Sequence, residues 1–341
     1  MPDRDDPATP ATRAPWVEPR RWTRHPTAVT MGMSDAFQPG SEGVAMAKLR
    51  FGAYQYQHLP LDQLTERWHE AERLGFDVLW NCDTLVEPDR PRHLMFDGPA
   101  TLTLMAERTR TIRIGTLVTS LYFRHPATFA KSATTIDHLS AGRLEVALGV
   151  GDPSAGPAAL GIQWTPAEQV ARFAEFVRLV DQLLTHEVSD FDGTWYTCTG
   201  AETIPLPLQQ PRPPLTIAAH GPRMLAIAAR HADAWSSWGG YDVTTEADFF
   251  RVTAERCRRF DDLCVAADRD PATIRHSVVC FPPLTPWEST AYFEDMVGRM
   301  REVGIDEFVL YWPRSWRPEA HHEQQVFEQV TAETIPALRA G

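Results

Sequence analysis

The chain has 341 residues, of which 43% are hydrophobic and 23% are charged, and its formal net charge is −12 at pH 7. This acidic balance argues against a nucleic-acid-binding protein, which needs a basic patch. The sequence contains no run of about 18 apolar residues that could span a membrane. We therefore expect a soluble globular protein that does not bind nucleic acid and does not span a membrane.

The five cysteines are odd in number and include no C-x-x-C pair. This pattern predicts reduced thiols in a cytoplasmic protein. No metal site is expected, since the H-E-x-x-H motif is absent.

Residues 1–45 are rich in Pro, Arg and Asp and show no sustained apolar period. Such a segment cannot bury enough apolar surface to offset its ordering entropy. We predict a disordered N-terminal tail over residues 1–45 and one domain over residues 46–341. Two interpretations of the tail stay open: Met46 is the true start of the protein, or the tail is a genuine disordered arm.

From residue 48 onward, short apolar runs alternate with helical periods. The predicted strands cover residues 49–54, 76–81, 111–120, 144–151, 215–219, 233–238, 275–281 and 306–312. The predicted helices cover residues 61–75, 99–108, 127–140, 166–186, 222–232, 246–267, 288–303 and 320–339. An irregular insert with FDGTWY (191–196) and a proline-rich stretch follows the fourth helix.

Eight strand-like runs, most of them followed by a helix, predict parallel strands with right-handed crossovers. Eight such repeats close into a barrel, whereas a doubly wound open sheet usually has fewer strands. The predicted fold is therefore α/β: a (β/α)8 TIM barrel with an insertion after the fourth helix. In this fold the working residues follow the carboxyl ends of the strands.

Several residues at those strand ends are candidates for chemistry. Asp83 is a candidate acid, base or hydrogen-bond partner, because a carboxylate in an apolar mouth has a perturbed pKa; a loop or helix-capping aspartate is equally compatible with the pattern. His58 and His220 are candidate proton donors, or polar side chains near the surface. The aromatic residues expected at the mouth are Tyr54, Tyr122, Trp238, Tyr311 and Trp312.

The segment His220-Gly221-Pro222-Arg223 follows the fifth predicted strand. A glycine lets a ligand approach the backbone, and a helix N-terminus attracts phosphate. Arg223 could add a charged contact. The alternative interpretation is an ordinary glycine turn between a strand and a helix, which has the same sequence pattern without a bound phosphate. The earlier stretch GVGDPSAG (149–156) is not a dinucleotide fingerprint, because its third glycine is replaced by Ser154.

Four stretches of the chain resemble the luciferase-like superfamily, which includes flavin-dependent monooxygenases and enzymes that use the deazaflavin coenzyme F420. They are GFDVLWNCD (75–83), the region 111–151, FDGTWY (191–196) and the region 205–235. The resemblance implies a TIM barrel with the cofactor across its mouth and a non-proline cis peptide around residues 118–121. It also implies a homodimer formed through helices beside the second and third strands.

The resemblance and the positions at the strand ends together assign residues to the cofactor and to catalysis. The cofactor-binding residues are expected to be Asp83, Thr119, Ser120, Asp152, His220, Gly221, Pro222, Arg223 and Trp238. The catalytic candidates are Asp83, Thr84, His58 and Tyr54. Many relatives carry a histidine where this chain has Thr84, and threonine cannot replace histidine as a general acid. Proton transfer then comes from Asp83, His58 or Tyr54, or the reaction needs only hydride delivery.

The leading functional hypothesis is a coenzyme F420-dependent oxidoreductase that transfers a hydride to or from an organic substrate, which is expected to be a small molecule or peptide-like. A reduced-FMN-dependent monooxygenase and a non-catalytic accessory protein are the alternatives. Substrate choice is expected to depend on the loops 84–97, 152–166 and 281–288.

Overall fold

The computed structural model describes residues 48–86, 93–152, 160–313 and 320–340. The predicted tail, residues 1–45, lies outside these ranges. Within them, every helix is too short or too polar to cross a bilayer.

The described residues form ten strands, of which the eight in the barrel begin and end close to the predicted positions. They are β1 (Arg50–Tyr54), β2 (Val78–Asn81), β3 (Arg113–Ser120), β4 (Leu144–Gly149), β5 (Val188–Asp192), β6 (Thr197–Glu202), β7 (Leu215–Ala218), β8 (Ala234–Ser237), β9 (Arg275–Val279) and β10 (Glu307–Tyr311). Eight of them form a closed parallel barrel in the order β1-β2-β3-β4-β7-β8-β9-β10. The predicted barrel fold is confirmed.

Helices cover the outside of the barrel. They are α1 (Leu61–Arg73), α2 (Gly98–Arg108), α3 (Pro126–Leu139), α4 (Pro166–Thr185), α5 (Pro222–His231), α6 (Glu246–Ala266), α7 (Thr290–Glu302), α8 (Ala320–Gln329) and α9 (Ile335–Ala340). Side chains mark several helix starts: Asp97 accepts the Ala100 N–H at the start of α2, and Thr165 accepts the Glu168 N–H at the start of α4.

The sequence predicts an irregular insertion after α4, and this prediction is wrong. The insertion is an antiparallel hairpin of β5 and β6. The FDGTWY segment forms its turn. The Glu175 carboxylate of α4 accepts the backbone N–H groups of Thr194 at 2.8 Å, Trp195 at 2.7 Å and Tyr196 at 3.2 Å. The hairpin is hard to predict because most of its side chains are exposed, so little hydrophobic alternation marks the strands.

Charged side chains fill the barrel interior at the amino ends of the strands. Glu145 accepts hydrogen bonds from Arg50 at 2.7 Å and from Arg113 at 2.6 Å. Burial opposes ionisation of Glu145, but these two arginines outweigh it and lower its pKa. Glu307 lies farther from its cations, with Oε2 3.5 Å from Arg50 and 3.6 Å from Arg275. Burial raises the pKa of Glu307 to about 7.

The indole of Trp80 fills the next level of the interior. A Cβ atom on Gly115 would overlap the Trp80 ring and would lie 2.6 Å from the Glu145 carbonyl oxygen. A Cβ atom on Gly52 would lie 3.1 Å from Trp80 Nε1. The two glycines therefore leave the space that the indole occupies, and any side chain at Gly115 would displace it.

Replacing Glu307 with glutamine should make the protein progressively more stable than wild type as the pH rises. The raised pKa means that the folded protein resists ionisation of Glu307. Wild type therefore loses stability as the pH rises from the ordinary glutamate pKa through about 7. Glutamine does not ionise. The difference in free energy of unfolding between the variant and wild type should therefore shift in favour of the variant by at least about 1 kcal/mol from about pH 5 to about pH 8.

Urea unfolding at the two pH values measures this difference. Glu145→Gln serves as the contrasting variant, because it should lose stability at both pH values by weakening the pairs with Arg50 and Arg113. A Glu307→Gln advantage that stays constant or shrinks with pH would contradict the prediction.

Candidate active site

The carboxyl ends of seven barrel strands open onto a pocket of about 820 Å³. Its aromatic lining residues are Tyr54, Tyr56, Trp238, Tyr241 and Phe281. Small or apolar residues lie at the strand ends: Leu117, Gly149, Ala218 and Val279. A mostly apolar cavity with a few polar groups is typical of a site for a small organic molecule or cofactor.

The structure brings seven of the twelve predicted site residues together around this pocket and leaves five outside its lining. Those in the lining are Tyr54, Asp83, Thr84, Asp152, His220, Gly221 and Trp238. Those outside it are His58, Thr119, Ser120, Pro222 and Arg223. The pocket therefore lies at the barrel mouth where the sequence places it.

The five residues outside the lining have different surroundings. The His58 ring stacks on Tyr56 with centroids 5.9 Å apart. Thr119 lines a small cavity shared with residues of α2 and α3, on the helix side of the barrel wall. Pro222 and Arg223 are exposed in the first turn of α5.

Ser120 is buried beneath the pocket wall. Its N–H donates to Asp83 Oδ2 at 3.3 Å, and its hydroxyl donates to the Val150 carbonyl at 3.3 Å. A cis peptide joins Leu117 and Val118, at the edge of the expected window. The pairing of β3 with β4 shifts register between Thr116 and Thr119.

Asp83 forms a bidentate ion pair that the sequence does not reveal. Arg124 donates from Nη2 to Asp83 Oδ1 at 2.9 Å and from Nε to Oδ2 at 3.2 Å. Burial raises the pKa of Asp83 above its usual value, and Arg124 opposes that shift. We infer that the carboxylate is ionised near neutral pH, because the two-point pair supplies its counter-charge. An ionised Asp83 cannot donate a proton, although it can accept a hydrogen bond.

Arg124 also connects the two ends of the β2–α2 connection. Besides Asp83, which follows β2, it pairs with Asp97, the residue that caps α2. Asp97 Oδ1 accepts the Ala100 N–H, which leaves Oδ2 for Arg124. One guanidinium therefore holds both carboxylates in place at this side of the mouth.

His220 is held as a neutral imidazole. The Trp238 N–H donates to His220 Nε2 at 3.2 Å, so the ring proton is assigned to Nδ1. Burial, together with the positive charge of Arg256, lowers the pKa of His220 to about 3. Near neutral pH the ring therefore offers a neutral N–H rather than an acidic imidazolium.

The N-terminus of α5 adjoins the same side of the pocket. Gly221 is its N-cap residue, and no side chain of the described residues caps the helix. A Cβ atom on Gly221 would meet nothing within 4 Å, and its φ of −75° suits any residue. The glycine is therefore not required by the backbone, and it keeps part of the pocket open. First-turn N–H groups and the helix dipole favour an anion at such a position.

Sequence reasoning missed several lining residues. Arg256 of α6 donates to the Trp238 carbonyl and to Ser237 Oγ, and with Asp248 and Val252 it lines the pocket. These three residues are spaced four apart and so lie on one face of α6. That spacing in the sequence could have indicated that they face the same side. Among the expected mouth aromatics, Tyr122 stacks on Trp164 instead, and Tyr311 and Trp312 belong to the hydrophobic core.

Comparisons with known proteins agree with this architecture. The profile of the luciferase-like monooxygenase family matches residues 32–325. The chain belongs to this family. The luciferase-like chain is 27% identical over 337 residues to the F420-dependent glucose-6-phosphate dehydrogenase of Amycolatopsis mediterranei (strain U-32), covering 86% of this chain and 99% of the relative. It is 32% identical over 249 residues to 5,10-methylenetetrahydromethanopterin reductase of Archaeoglobus fulgidus, covering 68% of this chain and 71% of the relative.

Among solved structures, this luciferase-like protein is similar to an F420-dependent secondary alcohol dehydrogenase in complex with an F420-acetone adduct. The TM-score is 0.71 at 18% identity, over 83% of this chain and 98% of that chain. At this identity the likeness concerns the fold alone.

Replacing Arg124 with glutamine should destabilise the protein more at alkaline than at acidic pH. Without its cation, buried Asp83 should have a still higher pKa in the folded state, so stability is lost as the pH rises through that value. We expect a loss of about 2 kcal/mol near pH 8 and less near pH 5, measured by urea unfolding.

Two further variants make the Arg124 experiment specific. Asp83→Asn in the Arg124→Gln background should recover part of the loss, because it removes the unpaired charge. Arg73→Gln breaks the exposed pair with Glu70 and should change stability by less than about 0.5 kcal/mol. An equal loss for Arg124→Gln at both pH values would refute the pairing role.

Proposed function

We propose that the protein is a coenzyme F420-dependent oxidoreductase that transfers a hydride between the deazaflavin and an organic substrate. The observation that carries the proposal is a pocket with an apolar, aromatic-lined body and an uncapped helix N-terminus at one side. This combination suits a molecule with a flat ring system and a phosphate. The F420-dependent relative that aligns over 99% of its own length supports the choice of cofactor.

The residues present fit such a cofactor. Gly221 leaves open space where a side chain would stand, beside the N-terminal turn of α5. Leu117, Ala218 and Val279 give an uncharged surface for a ring. We propose that Gly221, His220 and the α5 N-terminus hold the phosphate, while Asp83 and Asp152 lie nearer the ring. Thr119, Ser120, Pro222 and Arg223 stay predictions as cofactor-binding residues; Ser120 would act through Asp83.

The deazaflavin, when bound, supplies the capacity to carry a hydride. The protein must orient the substrate and manage its proton. Tyr54 lines the pocket, and burial, with contributions from Cys82 and Tyr56, raises its pKa well above the usual value. Its hydroxyl therefore stays protonated, and we propose that it donates a hydrogen bond to the substrate. Thr84 donates to the Val86 carbonyl and would shape the mouth rather than move a proton.

A reduced-FMN-dependent monooxygenase and a non-catalytic accessory protein are the competing proposals. Parallel calorimetric titrations of the purified full chain with coenzyme F420 and with FMN separate the three. We expect tight binding of F420 and weak binding of FMN. Preference for FMN would overturn the proposal in favour of the monooxygenase, and binding of neither would favour the accessory protein.

The assembly and location of the protein are also proposals. By resemblance to its family we propose a cytoplasmic homodimer. Size-exclusion chromatography with light scattering tests the assembly, and a clean monomer would contradict it.

Replacing Gly221 with valine should weaken F420 binding at least about tenfold, or about 1.4 kcal/mol, while leaving the fold stable. A Cβ atom at this position meets nothing within 4 Å, so the fold should tolerate the new side chain. Gly298→Val is the matched control, because a Cβ atom there also meets nothing within 4 Å, yet Gly298 lies on α7 outside the pocket lining. Calorimetry measures binding and thermal unfolding measures stability. Affinity within about twofold of wild type would count against this placement of the phosphate.

A further inference from the structure

One wall of the pocket is a continuous row of aromatic rings. The ring centroids are 5.1 Å apart for Tyr56 and Tyr54, and 5.4 Å apart for Tyr54 and Phe281. The row continues from Phe281 to Trp238 at 6.4 Å and from Trp238 to Tyr241 at 5.0 Å. Consecutive ring planes meet at 71° to 89°, so the rings contact one another edge to face. We call these five pocket-lining residues the ring wall.

The ring wall lies across the pocket from the groups proposed to hold the cofactor. Its members follow β1, β8 and β9, which with β10 form one side of the barrel. Asp83, Asp152 and Gly221 follow β2, β4 and β7 on the other side. Trp238 borders both sides, because its N–H donates to His220. A cofactor held by the second group would leave the ring wall as the surface that a substrate contacts.

The arginines of the pocket do not offer a free positive charge to an anionic substrate. Arg251 lies 3.0 Å from a carboxylate oxygen of Asp248 and 3.0 Å from one of Glu255. Arg256 donates to the backbone carbonyl and the hydroxyl at the end of β8 and lies beside His220. Its charge is therefore on the side proposed for the cofactor's phosphate.

Lysine does not supply a cation to the ring wall either. The chain contains two lysines, and the structure describes both. Lys48 lines a cavity at the amino ends of the strands, and Lys131 donates to the Ile204 carbonyl. A phosphate or carboxylate bound at the ring wall would therefore lose its water without gaining a counter-charge from the described residues, which is unfavourable.

A cationic substrate is not favoured more. Four aspartates line the pocket. Two of them are already paired, Asp83 with Arg124 and Asp248 with Arg251. Asp242 is exposed to solvent, and the fourth is the one proposed to lie nearer the cofactor ring. The surface that remains for a substrate is aromatic and uncharged.

We propose that the substrate is an uncharged compound with a flat, mostly apolar ring system, which binds against the ring wall. This inference rests on the proposed F420-dependent function, because the cofactor would occupy the opposite side of the pocket. Contact between ring surfaces supplies the affinity, and one oxygen of the substrate accepts the hydrogen bond proposed for Tyr54. Sugar phosphates, which include the substrate in the name of one relative, would be excluded.

Calorimetric titration of the full chain saturated with oxidised F420 tests the substrate class. Oxidised F420 has no hydride to give, so a ketone binds to this complex without reacting. We expect 2-acetylnaphthalene, an uncharged ketone, to bind at least about tenfold more tightly than 2-naphthoate, which has the same rings and a negative charge. Glucose 6-phosphate should bind no better than 2-naphthoate. Tighter binding of either anion, or of the cation 2-naphthylmethylamine, than of the ketone would overturn the proposal.

Two variants test the ring wall itself. Phe281→Leu keeps an apolar side chain but removes the ring, and should weaken binding of 2-acetylnaphthalene about threefold to tenfold. Tyr241→Ala should weaken it about twofold to threefold, and the fold is not at risk because Tyr241 is 68% exposed. Phe191→Leu is the matched control: this half-buried ring is on β5, outside the pocket lining, so affinity should stay within about twofold of wild type.

Thermal unfolding confirms that each variant is folded, and a separate F420 titration separates the two proposals. Unchanged ketone affinity in both ring-wall variants would overturn the ring wall as the substrate surface. Tight F420 binding together with a preference for an anion would overturn the substrate class alone. Failure to bind F420 would overturn the proposed function and this inference with it.

Discussion

The pocket depends on the packing of Trp80 inside the barrel. A closed eight-stranded parallel barrel is a packed core rather than a pore, so its interior must be filled. The indole of Trp80 takes the middle level because Gly52 and Gly115 lack side chains there. Below it, Arg50 and Glu145 pair and keep their charges compensated. The space that remains is at the carboxyl ends of the strands, and it is there that the pocket opens.

The rim of the pocket depends on charge pairs between segments distant in sequence. Arg124 lies 41 residues from Asp83 and 27 residues from Asp97, yet it contacts both. Asp83 follows β2 and Asp97 precedes α2. Because both carboxylates are attached to regular elements, their pairing with Arg124 restricts the motion of all three side chains at the mouth. Asp83 is thereby kept as an oriented acceptor, which an isolated carboxylate in an apolar mouth would not be.

Hydrophobic periodicity predicts the barrel strands and helices because each has a buried face. It does not predict β5 and β6, whose side chains are largely exposed. At the site, the position of a residue after a strand finds Asp83 and Gly221. It does not reveal that Asp83 pairs with Arg124, since ion pairs across loops leave no local pattern in the sequence. Alternation along β3 also misleads: the register shift before Thr119 resets which side chains face inward. Thr119 therefore faces the helices.

The uncapped start of α5 makes the stability of this helix depend on what binds beside it. Among the described helices, α2, α3, α4, α6 and α7 each have a side chain that accepts a first-turn N–H, whereas Gly221 of α5 offers none. An anion at this position would act as the missing cap. Ligand and fold are then thermodynamically linked: saturation at about 100 times the dissociation constant adds about 2.7 kcal/mol to the free energy of unfolding. The concentration of the cofactor in the cell would thus affect the folded fraction of the protein as well as its rate of turnover.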